Sequence, residues 1–199
     1  MKSIPRFAMA LSAMLLFPFA SVNAESAYTD SMEAEFMQGG QITLKLSAGE
    51  HEIVESADNH IRVHWTLEDE SDDVDTQAKV KGNQATIDID GPRKHFRTVI
   101  EVPRNSDLTV RLTAGELDVG NVGGDRDIQL RAGDLSIEVG DTDNYGNVEG
   151  SLWAGDINAG PFNRSASGLF RSIEWQGEGD HDVYFKLYAG DVRLYQGGD

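Results

Sequence analysis

Carboxylates are the one chemistry-bearing group this sequence supplies in quantity: 34 Asp and Glu stand against 17 Lys and Arg, five His and no Cys. Two carboxylates set ~5–9.5 Å apart can do acid–base work on a glycosidic bond, so a carbohydrate-active enzyme is one class to weigh. Other catalytic arrangements lack their parts. No Gly-x-Ser-x-Gly turn presents a serine nucleophile, and no His-Glu-x-x-His holds zinc. His60 and His64 fall on one face of a strand, but four extended residues set them ~13 Å apart, too far to grip one metal. With Arg62 between them they read as an outward polar face.

Carboxylates also bind calcium. Asp141-Thr-Asp143-Asn-Tyr145-Gly146 opens like an EF-hand loop, but Tyr145 replaces an oxygen ligand and Leu152 sits where the bidentate Glu belongs. Gly123-Gly-Asp-Arg-Asp127 opens like a calcium β-roll repeat, with Arg126 in place of the second turn glycine. The run Glu68-Asp-Glu-Ser-Asp-Asp73 has no glycine to shape a cage and reads as a solvated loop. All three are turns or loops before they are sites. No cofactor is expected, and calcium is the one candidate to test.

The acids with a defined setting belong to a repeat. Five times the chain writes Leu, any residue, Ala, Gly, an acid, an apolar residue, any residue, an apolar residue. The copies are Leu46-Ser-Ala-Gly-Glu50, Leu112-Thr-Ala-Gly-Glu116, Leu130-Arg-Ala-Gly-Asp134, Leu152-Trp-Ala-Gly-Asp156 and Leu187-Tyr-Ala-Gly-Asp191, completed by Ile53, Val119, Ile137, Ala159 and Leu194. His51 breaks the pattern where the others carry Leu117, Leu135, Ile157 and Val192.

The phrase contains a phase slip. Leu112 and Ala114 share one side of a strand, whereas Leu117 and Val119 lie an odd number of residues away and would face the other side of a straight one. Both pairs are apolar and are expected in one core, so the chain must bend between them. Gly115, free to take φ > 0, supplies the corner, and the acid after it can accept a bond from a turn amide. Strand, corner, strand is the unit.

Successive alanines at 48, 114, 132, 154 and 189 are separated by 66, 18, 22 and 35 residues. Gaps of 18 and 22 fit one coil of a β-solenoid whose neighbours stack ~4.8 Å apart. The gap of 35 reads as two short coils, the middle one degenerate around Trp175-Gln-Gly-Glu-Gly179. The first gap holds further strands over 61–67, 85–89 and 98–102, interrupted at Gly82, Gly91 and Pro103. The expected fold is all-β, a single-domain β-solenoid over 41–199 with a lead-in over 25–40.

Residues 1–24 form a separate unit. Lys2 and Arg6 precede an apolar run from Phe7 to Phe19, and Val22-Asn-Ala24 offers small residues for cleavage, the pattern of a secretory signal peptide. The run is shorter than the ~20 residues of a membrane-spanning helix and is interrupted by Pro18. The expected mature chain begins at Glu25, in the periplasm or outside the cell, and does not span a membrane. Losing the leader removes two positive charges and no acids, which makes a chain of net charge −17 more negative still. Such a surface repels nucleic acid and anionic lipid. With no cysteine, an exported chain must take its stability from packing and sheet pairing.

The run Val99-Ile-Glu-Val-Pro103, then Leu108-Thr-Val-Arg-Leu112, then glycine-acid corners resembles the bacterial "putative adhesin" family of unknown function over roughly residues 33–195. The resemblance implies an exported β-solenoid and carries no catalytic residues. This chain departs from it in using Glu at the first two corners and Ala before every corner Gly.

Two sets of residues are thus the candidates. Glu116, Asp134 and Asp156, continued by Asp191, should form an acid row along the stacked corners, compensated by turn amides or a cation. The residues between Leu and Ala point away from the core: Ser47, Thr113, Arg131, Trp153 and Tyr188. If the coils stack, Arg131, Trp153 and Tyr188 gather on one face, with the degenerate coil separating Trp153 from Tyr188. An exposed Trp and Tyr beside an Arg suit a glycan, an envelope protein or a second copy of the chain. The expected function is a non-catalytic, adhesin-like binding or structural module of the cell envelope.

Overall fold

Each copy of the repeat is one bent strand or a pair of strands meeting at a glycine. The computed structural model describes residues 28–67, 73–92 and 95–197, so the leader and most of the acidic run 68–73 lie outside the described residues. Its strands are β1 (Tyr28–Glu35), β2 (Gln41–Leu46), β3 (Gly49–Glu55), β4 (His60–Leu67), β5 (Asp75–Lys81), β6 (Gln84–Asp90), β7 (Arg97–Val102), β8 (Asp107–Val119), β9 (Arg126–Val139), β10 (Tyr145–Ala159), β11 (Arg164–Gln176), β12 (His181–Ala189) and β13 (Val192–Gln196). The described chain is all-β apart from two single turns, Thr142–Asn144 and Gly160–Phe162.

β8, β9 and β10 run through their corners unbroken, while β2–β3 and β12–β13 divide at theirs. The leading arms, before the corner, order as β5-β6-β2-β8-β9-β12-β10-β11; the trailing arms order as β1-β4-β7-β3-β8-β9-β13-β10-β11. The two arms fold toward each other about the corners. Between them lie Leu44, Ile87, Val110, Ile128 and Val183 from the leading side and Ile53, Ile100, Val119, Ile137 and Leu194 from the trailing side, all in one core. The predicted slip is visible in burial: Leu112 and Leu117, five apart, are both interior. The alanines are not core. Ala48, Ala114, Ala154 and Ala189 are half-buried and Ala132 is exposed; Ala114, Ala132, Ala189 and Ala154 instead pair in register along the outside of the turn.

The corners stack by parallel pairing, as expected, but not in chain order. Gly49 pairs with Gly115 and Gly115 with Gly133; β12 then lies between β9 and β10, pairing Leu187 with both Leu130 and Leu152. The fifth copy is inserted between the third and the fourth, so the stack is not a solenoid wound coil after coil. The segment read as a degenerate coil is β11, which returns antiparallel along β10 and forms the edge of the sheet. Beside the first copy, β6 pairs β2 and β7 pairs β3. Antiparallel strands close both ends of the stack. At the amino-terminal end, Arg62 ties β1, β4 and β7 through Glu33 at 2.8 Å, Asp58 at 2.7 Å and Glu101 at 3.1 Å. The Arg62 guanidinium beside Asp58 draws its carboxyl down to about 2. The expected outward polar face of His60, Arg62 and His64 is therefore an ion-pair cluster.

The glycines are required by their neighbours. Gly115, Gly133, Gly155 and Gly190 have φ of +120°, +121°, +136° and +132°. A Cβ on Gly115 would strike the carbonyl of Gly49, one on Gly133 that of Gly115, one on Gly190 that of Gly133, and one on Gly155 that of Gly190. Among the described residues, two of the five buried polar side chains are ionisable, His51 and Arg126. His51, buried in the first copy, accepts or donates through Nδ1 at 2.8 Å from Thr98 Oγ1, and its Nε2 lies 3.2 Å from the Ser47 carbonyl. Nε2–H donating to the carbonyl and the Thr98 hydroxyl donating to Nδ1 satisfy a neutral ring. Arg126 donates to the carbonyl of Glu138 at 2.9 Å and to that of Val122, tying the start of β9 to its far end and to the segment after β8; burial pushes its pKa down.

Two outcomes are expected from these contacts. Gly133→Ala should lose about 3 kcal/mol or more in urea unfolding, because backbone strain adds to a collision with a fixed carbonyl. Gly82→Ala, at φ +61° with nothing within 4 Å of its Cβ, should lose only about 1–2 kcal/mol. Similar losses would show that the column is not constraining. Burial lowers His51 from 6.5 to about 4, with the Ser47 contact opposing weakly. The unfolded chain then takes up this proton first, so the contribution of His51 is complete above pH ~6.5 and is lost as pH falls toward 4. His51→Leu should reduce the stability lost between pH 7 and pH 4.5 by about 2 kcal/mol; equal losses in both proteins would exclude the ring as the sensor.

Candidate functional site

The acid row exists, in a different order and with a different partner. From one end it reads Glu50, Glu116, Asp134, Asp191, Asp156. Asp134 Oδ1 accepts from the backbone N–H of Asp191 at 3.0 Å, and Asp191 Oδ1 from the N–H of Asp156 at 3.0 Å. The Asp156 carboxylate takes a bond from the Ser167 hydroxyl. Asp134 and Asp191 therefore each cap the amide of the next corner in the stack, not one of their own turn, while Glu50 pairs with Arg97. Among the described residues, no group of three or more His, Cys, Asp or Glu is placed to hold a metal.

A second ladder, unmarked by the repeat phrase, lies nine residues earlier at the start of the leading arms. Asp107 Oδ1 accepts from the N–H of Asp125 at 3.0 Å, and Asp125 Oδ1 from the N–H of Asp182 at 2.9 Å. The signal was available: Asp107, Asp125 and Asp182 precede Ala114, Ala132 and Ala189 by the same seven residues. The sequence resembling a β-roll repeat is spent on this ladder. The sequence resembling an EF-hand is a single capped turn, with Asp141 Oδ1 accepting from the N–H of Asp143 at 3.1 Å.

The outward residues form a row across the leading-arm face: Thr113, Arg131, Tyr188, Trp153, and then Phe170 on the edge strand. No coil separates Trp153 from Tyr188. Because β12 is inserted next to β10, their rings stack with centroids 4.7 Å apart and planes 15° apart. Phe170 meets Trp153 edge-on at 5.7 Å. The three rings are 41%, 59% and 73% exposed at Trp153, Tyr188 and Phe170, and Leu169 beside them is 57% exposed. Phe170 holds φ +53°, a conformation costly for a bulky side chain, and it does so with its ring in solvent.

Two grooves of opposite charge flank the corners. On the trailing-arm face a groove of about 490 Å³ is lined by Glu50, Glu52, Glu116, Asp118 and Asp134, with Arg97 held by Glu50. On the leading-arm face a groove of about 320 Å³ is lined by Arg111, Thr113, Gln129, Arg131, Lys186 and Tyr188. No Phe, Tyr or Trp lines the acidic groove, and no carboxylate lines the aromatic one. The ingredients of a sugar-cleaving cleft are thus on different faces. Lys186 and Phe170 were not singled out in the sequence; Lys186 lies two residues before Tyr188 on the same face, which is a usable signal.

No family model matches the chain, and no curated protein sequence matches it. Solved structures do. A "putative cell adhesion protein" of Clostridium sporogenes aligns over 86% of this chain and 100% of its own, with TM-score 0.57 and 12% identity. A "putative adhesin" of Bacteroides fragilis aligns over 86% and 99%, with TM-score 0.31 and 10% identity. At 12% identity the first likeness is one of fold alone.

The ladder makes Asp134 a test of capping. Asp134→Asn keeps an acceptor oxygen for the Asp191 amide and should change stability little. Asp134→Ala should cost about 0.5–2 kcal/mol, by analogy with loss of a helix cap. Chemical denaturation of both variants checks this, and equal negligible changes would refute the role.

Proposed function

We propose that the protein is an exported, non-catalytic binding module of the bacterial cell envelope, adhesin-like, that meets a glycan or another envelope protein through its leading-arm face. The observation that carries this reading is the exposed row Phe170–Trp153–Tyr188. Rings provide large contact area at small cost in side-chain entropy, and one of these three is kept in solvent by a strained backbone, a feature that clusters at functional sites. The scaffold is solenoid-like in the stacking of its corners, though not in its winding, and such stacks present extended, rigid faces. The separation of aromatic rings from paired carboxylates favours binding over hydrolysis. The leader-like segment 1–24 supports export, and among the described residues no helix is long and apolar enough to cross a membrane.

Replacing Trp153 and Tyr188 together with Ser should leave the circular-dichroism spectrum and melting temperature nearly unchanged while abolishing retention on envelope fractions of the native host. Unfolding of the double variant would make the rings structural. Retention at the unaltered level by a folded double variant would remove this face from the function.

A further inference from the structure

The leading-arm groove concentrates positive charge in a chain of net charge −17. Arg131 lies in the middle strand of the groove, between Thr113 on β8 and Tyr188 on β12. Arg111 and Lys186 are both level with Gln129, one row away, which makes each a diagonal neighbour of Arg131 at roughly 7–8 Å between backbones. Asp127 neutralises Arg111 at 2.9 Å. Neither Arg131 nor Lys186 forms an ion pair with a described residue, and no acid lines this groove, although Asp127 and Glu149 share a smaller adjoining hollow with Lys186. One wall is Tyr188, whose ring is covered on one face by Trp153 and backed in turn by Phe170.

We propose that this groove binds a carboxylate-bearing sugar unit of an acidic polysaccharide, with the ring against the open face of Tyr188 and the carboxylate between Arg131 and Lys186. The proposal rests on the binding-module reading and names its ligand class. A planar guanidinium forks onto a carboxylate, and Thr113 and Gln129 offer neutral donors and acceptors suited to hydroxyl groups. The volume is at the small end for ligand pockets, which run ~300–1,000 Å³, so it suits a short stretch of sugar chain. A second copy of the protein is a poorer occupant. Its matching acidic surface around Glu116 and Asp134 is itself concave, and two hollows do not interlock.

The test is calorimetric titration of the protein, purified from cells expressing the whole chain, with oligogalacturonate, oligomannuronate and hyaluronan fragments. Each is paired with its uncharged carboxyl ester, and polyglutamate serves as a non-sugar polyanion. At least one acidic oligosaccharide should bind, its ester about tenfold or more weaker. Arg131→Ala and Lys186→Ala should each weaken it about tenfold, with Arg131→Lys recovering part of the loss. Binding by none of the three, equal binding of acid and ester, or equal binding of polyglutamate would overturn the proposal. So would dissociation of a dimer by Arg131→Ala in sedimentation, which would give the groove to a second copy. Envelope retention separates this failure from that of the broader reading. If Arg131→Ala/Lys186→Ala is retained and Trp153→Ser/Tyr188→Ser is not, the sugar assignment falls and the binding module stands. If both are retained, the binding-module reading falls with it.

Discussion

The fold depends on one close approach, repeated: the carbonyl of each corner lies where the next corner would carry a side chain. Strands stack ~4.8 Å apart, and a chain that turns sharply at the same level in every copy brings backbone against backbone there. Only glycine leaves room, and only glycine takes φ near +120° at little cost. The rest of the phrase follows. The corner reverses the inward parity, so Leu112 and Leu117 both reach the core. At Asp191 and Asp156 it also turns an amide outward, which the acid of the preceding level accepts. A row of like charges is tolerable because all five carboxylates are exposed to water, and Asp134 and Asp191 are bonded to amides as well.

The phrase and its bend were legible in sequence because they obey local rules: parity, glycine, acid. The winding was not. Every copy carries the same inward Leu and the same glycine, so contacts between copies three and four would be chemically equivalent to those between three and five. What decides the order is β11, which turns at Gly160–Phe162 and Asn163, the last at φ +53°, to return along β10. That leaves the inner side of β10 for β12. The pairing of β6 and β7 beside the first copy was invisible for a different reason. Phe96 fills the space beside Gly91 and Gly49, so the site is built from a distant ring instead of the Ala-Gly-acid signature.

Polar residues in apolar positions show the same division. His51 was recognisable as an exception, but its hydroxyl partner lies 47 residues away on β7 and nothing local announces it. Arg126 stands in register with Leu108 and Val183, both interior. Its two terminal nitrogens are bonded to carbonyls at the far end of β9 and after β8, while its Nε has no hydrogen-bond partner among the described residues, an arrangement no spacing rule encodes. Arg131, Trp153 and Tyr188 do face outward, since outward parity is local. The adjacency of the two rings was not legible, since adjacency is a property of strand order.

That order is also what turns scattered residues into a surface. In a stack wound in chain order, Trp153 would follow Arg131 directly and Tyr188 would lie beyond it. The insertion of β12 instead sets Tyr188 beside Arg131 and supports it from behind with Trp153. It brings Lys186 level with Gln129 in the same step. Phe170 then closes the row at the edge strand, where its left-handed backbone interrupts the regular ladder. An irregular edge resists pairing with a foreign strand. The same distortion therefore protects the end of the sheet and buttresses the aromatic wall of the groove, so the cost of holding Phe170 in solvent is offset by two effects at once.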